Sequence, residues 1–345
     1  MHRVLLISTS VVLAVGSIVW LVYKSETSPT YIETQEYTPA SESVSTSSPL
    51  SPYSTSSPKE NTSTTTSIPR NGGEKTDTRK AVSNTQTEDS KPNEQIQTFL
   101  YTFNVTEILE ESGSSNLSSS QYFWLNSGAK LVISEGIGST IRGALAIEDP
   151  WRRTYAETNP LDTDKGLFPQ NLFRLITQSV WENVDQELEF SIQKVNALNT
   201  SDRDAFSGIF LMSRYVNSDT LYYAGIRMDG KAVIKKKYRG VYYTLAEAQL
   251  FTSPTPYDRV RFPNLIPTNT WYRMESQTIT MSSGTVQIRL SFAYSLSEPL
   301  ETILITTDTG IFWPPITTKG HTGIRTDYAD VLFDNYKITT LVTSI

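Results

Sequence analysis

The sequence has no cysteine, and its two histidines, His2 and His321, lie at opposite ends of the chain. Disulfides, thiolate nucleophiles and cysteine metal sites are excluded together, and no His pair stands at ligand spacing. Cations are in deficit as well: 30 Lys and Arg against 36 Asp and Glu leave a formal net charge of -6 over 345 residues. A nucleic-acid partner needs a clustered basic face, which this balance does not offer. The one basic run, Lys235-Lys236-Lys237, falls on an extended stretch whose neighbours point to opposite faces, so it reads as a solvated strand or a protected edge. A long helical period is also missing; only Thr106 to Glu111 and Leu245 to Leu250 leave room for a turn or two of helix.

What is present falls into three parts. Residues 4–23, VLLISTSVVLAVGSIVWLVY, form an apolar run between Arg3 and Lys24, long enough to span a hydrocarbon core of about 30 Å. Trp20 and Tyr23 suit an interfacial belt. Residues 1–24 are therefore read as an uncleaved signal-anchor; a cleaved signal peptide, with Ala14-Val15-Gly16 as the small-residue candidate site, is the alternative. The expected location is the cell membrane, single-pass, with the C-terminal part extracellular, or secreted if the leader is removed. About half of residues 25–95 are Ser, Thr or Pro, and large aliphatics are nearly absent. Such a segment cannot bury enough apolar surface to offset its ordering entropy, and it reads as a disordered stalk.

From residue 96 to 345 short runs of β-branched and aromatic residues recur between Gly, Pro, Asn and Asp. The clearest is Leu221 to Glu247, LYYAGIRMDGKAVIKKKYRGVYYTLAE, which predicts a three-stranded meander turned at Asp229-Gly230, in type I′ form, and at Arg239-Gly240. Tyr223, Gly225 and Arg227 share one side of its first strand, opposite Tyr222, Ala224 and Ile226. A partial echo, TGIRTDYADVLFDNYKI, follows at Thr322 to Ile338. A dozen such strands predict an all-β, antiparallel sandwich or barrel; no blade-sized repeat supports a propeller.

Two segments carry a family resemblance. Gly323-Ile324-Arg325 followed by Val331-Leu332-Phe333-Asp334-Asn335-Tyr336-Lys337-Ile338 resembles the closing strand pair of the concanavalin A-like lectin/glucanase superfamily, and Trp271-Tyr272-Arg273 with Val286 to Phe292 resembles a strand preceding its edge hairpin. The resemblance covers residues 96–345 in outline and implies a jelly-roll β-sandwich, laminin G-like, together with a structural Ca2+ held by the last strand through Asp334. A glucanase of this superfamily would carry Glu-x-Asp-x-x-Glu, with two carboxyls about 5 Å apart; it is missing, and Asp185, Glu187 and Glu189 only share a strand face. Lys237-Tyr238-Arg239-Gly240-Val241-Tyr242 is similar to the Y-x-K-x-G-x-Y strand of alginate-lyase-like jelly rolls, whose companion Gln-x-His strand is absent here.

Sugar binding calls for aromatic faces beside bidentate polar groups. The candidates are Trp151 with Arg153, the meander residues Tyr223, Arg227 and Tyr242, and Trp313 in a Pro-containing loop. The long polar segment Ile147 to Asn171 reads as an irregular insertion of the kind that carries function. His321, between Gly320 and Gly323, reads as an exposed turn residue. Together these features predict a membrane-anchored, extracellular, lectin-like module that binds a polysaccharide or other glycan without catalysis. The alternatives are a jelly-roll polysaccharide lyase or glycoside hydrolase, and a surface adhesion module with a protein partner.

Overall fold

The period-two alternation becomes sixteen β-strands among the described residues, which are 96–196 and 207–342 of a computed structural model. The apolar run 4–23 and the stretch 25–95 lie outside the described residues, and with them the expected signal-anchor and stalk. Among the described residues no helix is long and apolar enough to cross a membrane.

The strands form two sheets. In the nine-stranded sheet the order is β14 (Glu301–Asp308), β13 (Val286–Ala293), β12 (Trp271–Thr280), β7 (Val184–Val195), β16 (Ala329–Thr340), β5 (Ile137–Thr140), β4 (Lys130–Ser134) and β2 (Glu107–Glu110), with β1 (Thr98–Tyr101) also paired to β16. In the seven-stranded sheet it is β11 (Val241–Gln249), β10 (Lys231–Tyr238), β9 (Thr220–Arg227), β8 (Gly208–Asn217), β15 (Gly320–Asp327), β6 (Leu172–Trp181) and β3 (Phe123–Ser127). The strand pairings are antiparallel, and the first strand lies against the last. Two antiparallel sheets arranged in this way fit the jelly-roll sandwich that the resemblance implies.

Alternation decides which side chains meet between the sheets. Tyr222, Ala224 and Ile226 of β9 join Leu188 and Phe190 of β7 and Phe333 of β16 in one buried core. Phe173 and Phe333 stack across it at 5.6 Å. Replacing either by alanine removes a buried ring, a change that costs about 3–5 kcal/mol. Tyr336 and Gln186 are linked in this interior: Tyr336 donates to Gln186 at 2.8 Å, and Gln186 donates to the Met212 carbonyl at 3.0 Å.

Several local expectations are corrected. The first meander turn is a three-residue loop, not a type I′ pair: Gly230 N donates to Arg227 O at 2.9 Å, and only Gly230 of the expected dipeptide has positive φ. The second, Arg239-Gly240, has φ of 51° and 85° and pairs Tyr238 with Val241, as a type I′ turn does. The echo is two separate strands: β15 and β16 lie in different sheets, and the chain crosses between them at Tyr328, φ 57°. Thr106 to Glu111 and Leu245 to Leu250 contribute to strands, since pairing with β4 and β10 satisfies their backbones over more residues than a single helical turn would. The segment 147–171 is not wholly irregular either: it carries helix α1 (Pro150–Thr158), started by Asp149, whose Oδ1 accepts from Trp151 N at 2.9 Å, with Pro150 in the first turn.

Candidate ligand face on the seven-stranded sheet

The side chains that alternate away from the core form a second cluster on the outer face of the seven-stranded sheet. Ile176, Phe210, Met212, Tyr215, Leu221, Tyr223 and Val233 are buried there, with Trp124 and Tyr242 packed at their margin. Register sets the rows. Arg174 of β6 pairs with Arg325 of β15, Arg325 with Phe210, Phe210 with Gly225, and Gly225 with Val233. In the next row Ile176, Gly323, Met212, Tyr223 and Lys235 follow one another. The two glycines cannot be replaced by larger residues without breaking the sheet: a Cβ on Gly225 would lie 2.1 Å from Ile209 O, and one on Gly323 2.2 Å from Leu175 O. The neighbouring strands' backbone, and at Gly323 the Met212 side chain, close over both positions.

Cations and rings are interleaved on this face. The Arg325 guanidinium lies 5.3 Å from the Tyr223 ring centre, and the Lys237 ammonium 4.7 Å from that of Tyr242. Tyr223 and Tyr242 meet edge to face at 6.2 Å. Arg325 is held by Asp327 at 2.8 Å, and Lys237 by Asp219 at 3.1 Å. Burial raises the Tyr242 phenol, but the Arg325 and Lys237 charges outweigh it and set the group below the ordinary tyrosine range. Burial, reinforced by Arg227 and Arg325, pushes the Lys235 ammonium down to about 8. The Lys235-Lys236-Lys237 run is therefore not a solvated strand: all three side chains are buried, with Lys235 and Lys237 on the outer face and Lys236 turned inward.

The sequence candidates separate into four places. Tyr223, Arg227 and Tyr242 share the outer face. Tyr223 lies beneath Arg325, while Arg227, 5% exposed, is clamped by Asp229 at 2.5 Å and Glu247 at 3.5 Å. Trp151 and Arg153 sit on α1. Trp151 donates from Nε1 to Glu110 and packs on Tyr155, whereas Arg153 points to solvent. Tyr155 in turn donates to Glu111 at 2.5 Å, which ties the helix to the β-sandwich. Trp313 lies on the inner side of β10, stacked on Tyr238 at 5.5 Å, with its Nε1 donating to Tyr243 at 2.5 Å. It is on the opposite side of the sheet from Tyr242.

Asp334 occupies the outer side of the nine-stranded sheet opposite Glu189, and Asn335 donates to Glu189 at 2.8 Å. Burial raises the Asp334 carboxyl, and nearby Glu189 adds to the effect. A Ca2+ ion takes six to eight oxygens, and among the described residues no group of three or more His, Asp or Glu is placed to hold a metal. His321 is a strand residue rather than a turn residue; its Nδ1 lies 2.8 Å from Thr177 O.

Sequence reasoning missed Trp124, Arg174, Tyr215 and Arg325 as members of the face. Each stands on an alternating strand, but which of its two sides faces out depends on the sheet to which the strand belongs. The class defined by these elements is an antiparallel two-sheet sandwich of jelly-roll type with a cation-and-aromatic outer face. No family model and no curated protein sequence matches the chain. Solved structures similar to it include a carbohydrate-binding module, CBM66, from Bacillus subtilis, at 14% identity and TM-score 0.34, covering 48% of this chain and 81% of that one. A β-1,3-1,4-glucanase (lichenase) derived from a mouse hindgut metagenome gives 9% identity and TM-score 0.38, covering 71% and 99%. A Bacillus licheniformis β-glucanase gives 9% and 0.37, covering 71% and 98%.

Proposed function

We propose that the outer face of the seven-stranded sheet binds a glycan chain, in a non-catalytic, lectin-like module displayed outside the cell by the apolar segment 4–23 and the Ser/Thr/Pro stretch 25–95. The observation that carries this reading is the interleaving of Tyr223 and Tyr242 with Arg325 and Lys237 on a rigid sheet. Pyranose C–H faces stack on rings, and hydroxyls bridge charged hydrogen-bonding groups. Residues held on strands keep this spacing more closely than residues on loops. The expected test result is binding of the full-length chain to at least one immobilised polysaccharide from a panel of neutral and acidic polymers. Tyr242→Ala and Arg325→Ala should each weaken it about tenfold or more, while Arg153→Ala leaves it unchanged. Absence of binding to every polymer would overturn the reading, and retained binding in both outer-face variants would move the site elsewhere.

A second reading is favoured by one observation, the lowered phenol of Tyr242 between Arg325 and Lys237. A phenolate there could take the C5 proton of a uronate while a cation neutralises the carboxylate; the C5–H and C4–O bonds break, a C4=C5 double bond forms, and the departing oxygen is protonated. Release of unsaturated product, seen as ultraviolet absorbance during incubation with polygalacturonate or alginate, would replace binding by β-elimination. A Tyr242→Phe variant that still released product would remove Tyr242 from that role. Neither hydrolysis nor protein adhesion has comparable support: Asp229, Glu247 and Asp327 on this face are all engaged in ion pairs.

A further inference from the structure

One end of the outer face holds a cleft of about 330 Å3 walled by Trp124, Tyr215 and Arg174 and edged by Asn126, Asn217 and Ser218. Two of the walls, Trp124 and Arg174, are fixed from outside the cleft. Trp124 Nε1 donates to Ser112 O at 2.8 Å, which locks the indole plane. Arg174 Nε donates to Ser127 Oγ at 2.9 Å, and Ser127 donates onward to Leu172 O. The Arg174 guanidinium is thus oriented through one nitrogen, and its two terminal nitrogens make no hydrogen bond to the described residues. Of the three arginines on this face, Arg227 is paired with Asp229 and Arg325 with Asp327, whereas Arg174 forms no ion pair with a described residue. Its charge is felt by its surroundings, since it opposes the upward shifts of Tyr215, Glu111 and Asp327.

A planar fork with two unused donors, beside a fixed indole and amide groups, matches a planar or tetrahedral oxyanion attached to a sugar ring. We propose that this cleft takes the anionic substituent of an acidic glycan, with Arg174 binding the oxyanion bidentately and Trp124 stacking on the ring that carries it. The inference rests on the glycan-binding reading and sharpens it to a substrate class. The substituent is a uronate carboxylate or a sulfate ester; both present paired oxygens to the fork.

The test measures binding of the full-length chain to four polymers: polygalacturonate, its methyl ester, dextran sulfate and dextran. Polygalacturonate should bind at least tenfold more tightly than its methyl ester if the group is a carboxylate. Dextran sulfate should exceed dextran by a similar factor if it is a sulfate. Arg174→Met should remove about ten- to a hundredfold of that preference, because a charged bidentate contact is lost. Arg174→Lys keeps the charge without the fork and should recover only part of it; it also separates recognition from folding should the Met variant unfold. Equal binding to charged and uncharged polymers, or an acidic preference untouched in Arg174→Lys and Arg174→Met, would overturn the cleft assignment and leave the glycan-binding reading standing. Binding to none of the four, nor to the wider panel, would overturn both.

Discussion

Lys236 Nζ lies 2.8 Å from Asp308 Oδ2, with both side chains at the end of the sandwich core and less than 5% exposed. The pair is the hub of a satisfied network. Lys236 also donates to Trp313 O at 2.5 Å and Pro314 O at 2.8 Å, Tyr222 donates to Asp308 at 2.5 Å, and Ile316 N donates to the Tyr222 oxygen at 2.8 Å. It pins the segment after β14 across the rim. Removing one partner leaves a buried charge without compensation, so Asp308→Ala should lose about 3–5 kcal/mol in denaturant unfolding of the full-length chain, whereas the double change Lys236→Met with Asp308→Leu should recover most of it. Equal loss in the single and double variants would show that the ion pair is not the source.

Two glycines make a paired test of the sheet. Gly225→Ala forces a Cβ to within 2.1 Å of a neighbouring strand's carbonyl, while a Cβ on Gly113 meets nothing within 4 Å. Gly225→Ala should cost well over about 2 kcal/mol or abolish soluble expression, and Gly113→Ala should stay within about 0.5 kcal/mol of the parent. Thermal unfolding of the two variants side by side decides the matter.

Asp185 gives a pH prediction with a definite sign. Burial, followed by repulsion from Glu275, raises its carboxyl from 3.8 to about 6. The folded state therefore holds a proton that the unfolded chain releases, and this group's contribution falls as pH rises from about 4 to about 6. Above that window the penalty is complete; below it there is none. Asp185→Asn should stabilise the chain by about 1–2 kcal/mol at pH 7 and by nothing near pH 3, as unfolding midpoints at the two pH values will report.

Trp313 is separated from the outer face by the sheet itself. It stacks on Tyr238 and its carbonyl accepts from Lys236, while Tyr242 points the other way. Trp313→Ala should lower the unfolding midpoint and leave polysaccharide affinity within twofold of the parent. A loss of affinity at unchanged stability would return Trp313 to the ligand site.

Much of the β-sandwich was legible from spacing. The run Leu172 to Trp181 is a strand over that whole span, and the meander boundaries fall within a few residues of those observed. The face assignment of β9 was also readable: Tyr222, Ala224 and Ile226 enter the core, and Tyr223 lies with the outer cluster. What was not legible follows from pairing. Arg227 reads in the sequence as an available cation, but the β9–β10 and β10–β11 turns bring Asp229 and Glu247 onto it. Trp151 reads as a ring in a long loop, but an Asp149-Pro150 helix start turns it onto Glu110 and Tyr155.

The sequence by itself determined that residues 96 onward alternate with period two, that glycine and asparagine turns break them into antiparallel strands, and that cysteine chemistry is excluded. These are local properties, set by the side-chain period of a strand and by the backbone demands of a turn. Only the tertiary structure decided which strands share a sheet, and so that Arg174, Trp124 and Tyr215 meet around one cleft although they lie far apart in the chain. Alternation states that a residue lies on one of two faces; which face is outward, and what stands beside it, depends on long-range register between strands that local sequence does not encode.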